Sequence, residues 1–142
     1  KELSDATVLK ANNFASSYME NLGNARFRLT PLPAPIQFSP IFGSISKDFN
    51  GDGNLDVVMG GNFFGTRVKY GRYDANKGNL LLGDGKGGFQ PTGNTISGLK
   101  ISGEIRDIEI ITTKQNYQII LFAKNNEPVE VYNINPAKKT KS

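Results

Sequence analysis

Residues 48–56 read Asp-Phe-Asn-Gly-Asp-Gly-Asn-Leu-Asp and run directly into Val57-Val58-Met59. Oxygen-bearing side chains stand at every second position of the loop: Asp48, Asn50, Asp52, Asn54 and Asp56. Gly51 and Gly53 permit the sharp backbone turns that aim alternate side chains inward. A hard cation such as Ca2+ takes about six to eight oxygens at close range. Without a cation, Asp48, Asp52 and Asp56 would repel one another across so short a loop. The pattern therefore predicts a Ca2+ site. Asp48, Asn50, Asp52 and Asp56 would supply side-chain oxygens, and Asn54 its backbone carbonyl. An EF-hand begins similarly, but it needs a bidentate Glu at the twelfth loop position and a helix on each side. Met59 occupies that place here, and Leu55–Met59 carries adjacent β-branched residues that favour a strand. The loop thus predicts a junction between two strands. The plain alternative is an Asn/Asp/Gly-rich hairpin loop that binds nothing.

Further pieces recur in order around this loop. Phe42-Gly43 precedes it on a candidate strand, and Gly60-Gly61-Asn62 follows the apolar strand. After a spacer comes Asn79-Leu80-Leu81-Leu82-Gly83-Asp84-Gly85-Lys86-Gly87-Gly88-Phe89, an apolar strand, a Gly-Asp-Gly turn and a Phe. Over residues 38–92 this arrangement resembles the FG-GAP/VCBS β-propeller repeat of integrin α-chain heads and large bacterial surface proteins. The order, with the Tyr70–Ala75 spacer, is most similar to the C-terminal part of UnbV/ASPIC-type proteins of Bacteroidetes. The resemblance implies a four-stranded antiparallel blade with calcium in its first loop.

Fainter copies flank the unit. In residues 18–33, Asn21–Asn24 stands where the Gly-Asp-Gly turn would be and Phe27 where the Phe would be. In residues 98–134, Gly103–Ile111 alternates with the period of a half-buried strand, Lys114–Asn116 makes a polar turn, Tyr117–Ala123 is apolar, and Pro128–Ile134 alternates again. Only Asp107 echoes the acidic loop there, so no metal is expected in that unit. The internal period, about fifty residues, lies in the range of propellers and arrays. The expected fold is all-β: one single β-domain over 1–142, with about two to two and a half four-stranded antiparallel propeller units. These are a half blade (11–37), the calcium blade (38–97), a degenerate blade without metal (98–135) and a basic tail (136–142). Roughly nine or ten strands cannot close a ring of the usual four to eight blades. The chain opens at Lys1 without Met, so it reads as a piece of a larger propeller. Its open apolar blade faces predict self-association.

Composition narrows the chemistry. The 142 residues suit one domain, and 16 Gly with 7 Pro imply frequent turns. The best helical stretch, Ala11–Met19, is weakened by Asn12-Asn13 and Ser16-Ser17. No run of apolar residues reaches membrane-spanning length, so no transmembrane segment is expected. The chain has no Cys and no His. That excludes disulfides, thiolate or imidazole metal centres, and Cys or Ser-His nucleophilic machinery within it. An oxygen-only calcium site of modest charge suits places where calcium is abundant, which favours an extracellular, cell-surface or periplasmic location.

The net charge of +4 owes much to Lys138, Lys139 and Lys141, which read as a solvated terminus. Arg67, Lys69, Tyr70, Arg72 and Tyr73 interleave basic and aromatic residues in the spacer. A loop on a rigid scaffold often carries recognition, so these five are the candidate contacts for a ligand or partner. Nucleic acid is not expected. Gly83–Gly88 satisfies the letter of a dinucleotide-binding G-x-G-x-x-G, but Phe89-Gln90-Pro91 follows instead of a helix, so a hairpin turn is expected. Glu104, Asp107 and Glu109 read as solvent-facing strand residues, with Asp107 and Glu109 on one face. A cation wrapped in protein oxygens serves structure more often than chemistry, so no enzyme is expected. The sequence points to a non-enzymatic, calcium-stabilised binding or adhesion module of a larger surface propeller that engages a glycan or a protein. The alternative is a purely structural set of terminal blades whose working surface lies elsewhere in the parent protein.

Overall fold

The computed structural model describes residues 6–67, 69 and 71–134. Tyr70 of the spacer cluster and the basic tail 136–142 lie outside these residues. The fold is mostly β, in three antiparallel sheets, none of which closes on itself. The first sheet pairs β1 (Ser17–Asn21) with β2 (Phe27–Pro31). Gly23, Asn24 and Ala25 turn the chain between them with positive φ. The Ala11–Met19 stretch forms no helix, and its last residues enter β1. Asn13 spends its side chain on the Ala15 N–H, the local competition that disfavours Asn in helices.

The second sheet holds β3 (Ile41–Lys47), β4 (Asp56–Gly61), β5 (Asn79–Gly83) and β6 (Phe89–Pro91), in that spatial order. The third holds β7 (Ile105–Thr112), β8 (Gln118–Lys124) and β9 (Glu127–Asn133). A 3₁₀ helix at Ala34–Phe38 leads into β3, where Pro33 and Pro35 hold φ near helical values. A single turn, α1 (Asn94–Ser97), ends on Gly98 in the left-handed region.

Two apolar layers cover the faces of the second sheet. Between the second and third sheets lie Val58, Leu99, Ile101, Ile105, Ile108, Ile120 and Phe122. Glycines set this spacing. A Cβ on Gly43 would press on the Asp107 backbone, and one on Gly60 would overlap Ile105, so β3 and β4 approach β7 more closely than side chains allow. The other face of the second sheet presents Met59 and Leu81 to Ile36 of the 3₁₀ helix, with Leu32, Ile41, Val57 and Phe89 around them. At the β6 end, the Tyr18 ring of the first sheet meets Phe89 edge-on with centroids 5.4 Å apart. Strand alternation produces both layers: Val58 and Met59 are neighbours on β4 and serve opposite cores.

Candidate metal centre

The acidic loop links β3 to β4, as its sequence predicts, and Asp56 is the first residue of β4. Gly51 and Gly53 have φ of 82° and 90°, values that side chains rarely adopt. The loop is held by its own oxygens. Asp48 accepts the Gly51 N–H at 2.6 Å and the Gly53 N–H at 2.9 Å. Asn50 Oδ1 accepts the Asp52 N–H at 2.9 Å, while its amide donates to Asp52 Oδ2 at 2.9 Å. Asp52 Oδ1 accepts the Asn54 N–H at 2.7 Å. That bond, then the Asn50 amide, lowers the Asp52 pKa below the usual carboxylate range.

Asp56 differs from the others. It is fully buried, and it ties the loop to β5. One carboxylate oxygen accepts the Phe49 N–H at 2.9 Å and the Asn50 N–H at 3.3 Å. The other accepts the Gly83 N–H at 3.0 Å, across on β5. Gly83 must lack a side chain, because a Cβ there would collide with the Leu55 carbonyl. The second turn lies against the loop at the same place: a Cβ on Gly85 would meet Asn54 Oδ1. Asp84 in that turn accepts the Lys86 N–H at 2.7 Å and the Gly88 N–H at 2.9 Å, which lowers its pKa. Gly83–Gly88 is therefore a hairpin turn between β5 and β6, closed by the Asp84 N–H to the Gly88 carbonyl.

The donor set suits a hard cation, because it offers oxygen alone, without thiolate or imidazole. The carboxylate oxygens of Asp48 and Asp52 each keep a lone pair beyond the N–H bonds named above, and of Asp56 the oxygen that accepts Gly83 does, while its other oxygen accepts two N–H groups. Among the described residues, no three acidic groups converge as a metal-holding cluster.

Phe63 and Tyr73 exchange backbone hydrogen bonds at 2.9 and 3.0 Å and close the spacer into a hairpin-like loop. Thr66 Oγ1 donates to the Gly71 carbonyl inside it. Arg72 lies over the Phe64 ring, 4.9 Å from its centroid, while Arg67, Lys69 and Tyr73 are exposed.

One expectation is corrected. Glu104 is buried and does not face solvent. It accepts the Phe64 N–H at 2.9 Å, the Asn125 amide at 2.8 Å and Arg106 Nη2 at 2.8 Å. Asn125, then the Phe64 N–H, then Arg106 bring its pKa from 4.5 down to about 2. Alternation alone could not show this, because β7 begins one residue later and is bulged between Ile105 and Asp107. Asp107 and Glu109 are exposed, as expected. Asn62 is a second hub that the chemistry of the loop does not announce. Its amide donates to the Asn76 and Gly103 carbonyls, and its Oδ1 accepts the Asn76 N–H. Its φ of 85° explains the Gly60-Gly61-Asn62 run: a Cβ on Gly61 would overlap the Pro40 carbonyl, and Asn tolerates the left-handed turn better than most residues.

Comparisons with protein-family models, with curated proteins and with solved structures found no match to this chain.

Proposed function

We propose that this chain is a non-enzymatic, calcium-stabilised binding or adhesion module made of β-propeller blades, working at the cell exterior or in the periplasm. The observation that carries this reading is the loop between β3 and β4. It sets Asp48, Asn50, Asp52, Asn54 and Asp56 in alternation around two left-handed glycines, on a four-stranded antiparallel sheet. Asp48, Asn50 and Asp52 supply the exposed oxygens for the ion, Asn54 its carbonyl, and Asp56 the remaining lone pairs from the buried side. When bound, the cation neutralises the carboxylates of the loop. Chain order supports the blade reading as well, since the four-stranded and three-stranded sheets, consecutive in the chain, pack face to face. Among the described residues, no helix is long and apolar enough to cross a membrane.

Partner contact is assigned to the loop Arg67–Tyr73, with a glycan or protein as the ligand class. A second reading, structural terminal blades, has its own support in two uncovered sheet faces. Met19, Phe27 and Leu29 share one face of the first sheet, and Ile111, Val129 and Val131 share the outer face of the third, all exposed. Calorimetric titration of chelator-treated protein tests the metal. One site preferring Ca2+ over Mg2+ is expected, because a flexible loop does not supply the rigid octahedron that the smaller ion demands. A flat titration up to millimolar calcium would contradict the reading.

A further inference from the structure

Asn50-Gly51 is the one Asn-Gly pair of the chain, and every other Asn precedes a residue with a side chain. A glycine after Asn leaves its nitrogen open to the Asn side-chain carbon, because no Cβ stands in the way. Asn50, Gly51 and Asp52 are all exposed, so water reaches the pair. Its main chain is nevertheless held. Buried Asp56 accepts the Phe49 and Asn50 N–H groups from behind, and Gly51 is fixed in the left-handed region at φ 82°.

The hydrogen bonds around the pair act on the atoms of an amide transfer. The Gly51 N–H donates to Asp48 Oδ1 at 2.6 Å, the reach of a general base. The other Asp48 oxygen accepts the Gly53 N–H at 2.9 Å, which fixes the orientation of that carboxylate. Asn50 Oδ1 accepts the Asp52 N–H at 2.9 Å. This bond turns the Asn50 side chain back along the chain, as in an Asx-turn, and brings Cγ toward the Gly51 nitrogen. It also places a donor where negative charge develops when a nucleophile adds to Cγ. The Asn50 amide nitrogen donates to Asp52 Oδ2 at 2.9 Å, so the plane of the amide is set as well. Nucleophile, base and electrophile are thus oriented before any reaction, which removes part of its entropic barrier.

We propose that Asn50 is a self-modification site, where the Gly51 nitrogen displaces the side-chain amide of Asn50 with Asp48 as the base. The bond from the Gly51 nitrogen to Cγ forms as Asp48 takes the N–H proton. The Cγ–Nδ2 bond then breaks, and the nitrogen leaves as ammonia with that proton. Water opens the resulting cyclic imide. Addition at Cγ gives aspartate, and addition at the main-chain carbonyl gives isoaspartate. No oxidant, cofactor or second protein takes part. Either product puts a further negative charge between Asp48 and Asp52, and isoaspartate also lengthens the main chain of the loop by one carbon. The chemistry stands on the hydrogen bonds of the loop and not on a bound ion, so a failed calcium titration would leave it intact.

The test uses the full chain, incubated at neutral pH with chelator and then digested for mass spectrometry. The folded chain should convert Asn50 about tenfold or more faster than the same chain unfolded in guanidinium chloride. Both aspartate and isoaspartate should form, with release of ammonia. Asp48→Asn keeps an oxygen to accept the Gly51 N–H but loses the base, so folded Asp48→Asn should convert about tenfold or more slowly. Ser46→Ala, outside these hydrogen bonds, should convert as wild type does. Three results would overturn the proposal: conversion as fast or faster in the unfolded chain, aspartate without isoaspartate, or an unchanged rate in Asp48→Asn with a native far-ultraviolet spectrum. Should Asp48→Asn fail to fold, the comparison of folded with unfolded wild type decides alone.

Discussion

At the scale of single residues, buried carboxylates divide into two kinds. Asp56 serves backbone N–H groups of both loop and sheet, so Asp56→Ala strands up to three donors. At about 1–3 kcal/mol for each buried group left unsatisfied, the loss should be on the order of 3 kcal/mol. Most of it should already appear with chelator, as urea unfolding would show, and calcium should enlarge it; a loss confined to calcium would make Asp56 a ligand alone and not an anchor as well. Glu104 offers a pH test. Its folded pKa of about 2 lies below its ordinary 4.5. The folded state therefore binds fewer protons between these values, and the contribution is present above about 4.5 and is lost as pH falls toward 2. Glu104→Gln should flatten the dependence of stability on pH across that window. An unchanged slope would show that other carboxylates, Asp52 and Asp84 among them, carry it.

At the scale of elements, the strands were legible wherever pattern and turn chemistry agreed. The alternation from Gly103 to Ile111 became β7, the apolar run Tyr117–Ala123 became most of β8, and the Gly83–Gly88 turn joined β5 to β6. The acidic loop lies between β3 and β4, with Gly51 and Gly53 in the left-handed region. What stayed hidden depends on contacts distant in the chain. Glu104 reads as one more polar residue beside a strand until Asn125 and Phe64 arrive from elsewhere. Asn62 reads as a turn residue until Asn76 and Gly103 close on it. The short helices at 34–38 and 94–97 have too few residues for any periodic signal. Sheet spacing gives a further expectation. Gly60→Val places branched atoms where Ile105 already lies, so it should destabilise by about 1–3 kcal/mol or more. The same change at Gly93, where a Cβ meets nothing within 4 Å, should cost far less. Equal chemical-denaturation midpoints for the two variants would count against close packing of β4 on β7.

At the scale of the whole molecule, the first and third sheets each leave an apolar face uncovered. The central sheet, covered on both sides, is the most protected, and its hydrogen exchange should be slowest along β4 and β5. Uncovered end faces favour self-association. Light scattering should show dimers or larger species at high concentration, and Val129→Lys/Val131→Lys should reduce them, whereas a monomer throughout would make the stack self-sufficient. The central claim is that calcium in the 48–56 loop stabilises this architecture. An ion that binds only the folded state adds about 2.7 kcal/mol at a hundredfold excess over its dissociation constant. The most direct measurement is a set of thermal melts on wild type and Asp52→Ala, each with calcium and with chelator. Calcium should raise the melting temperature of wild type alone. Equal melting temperatures in all four samples would contradict it.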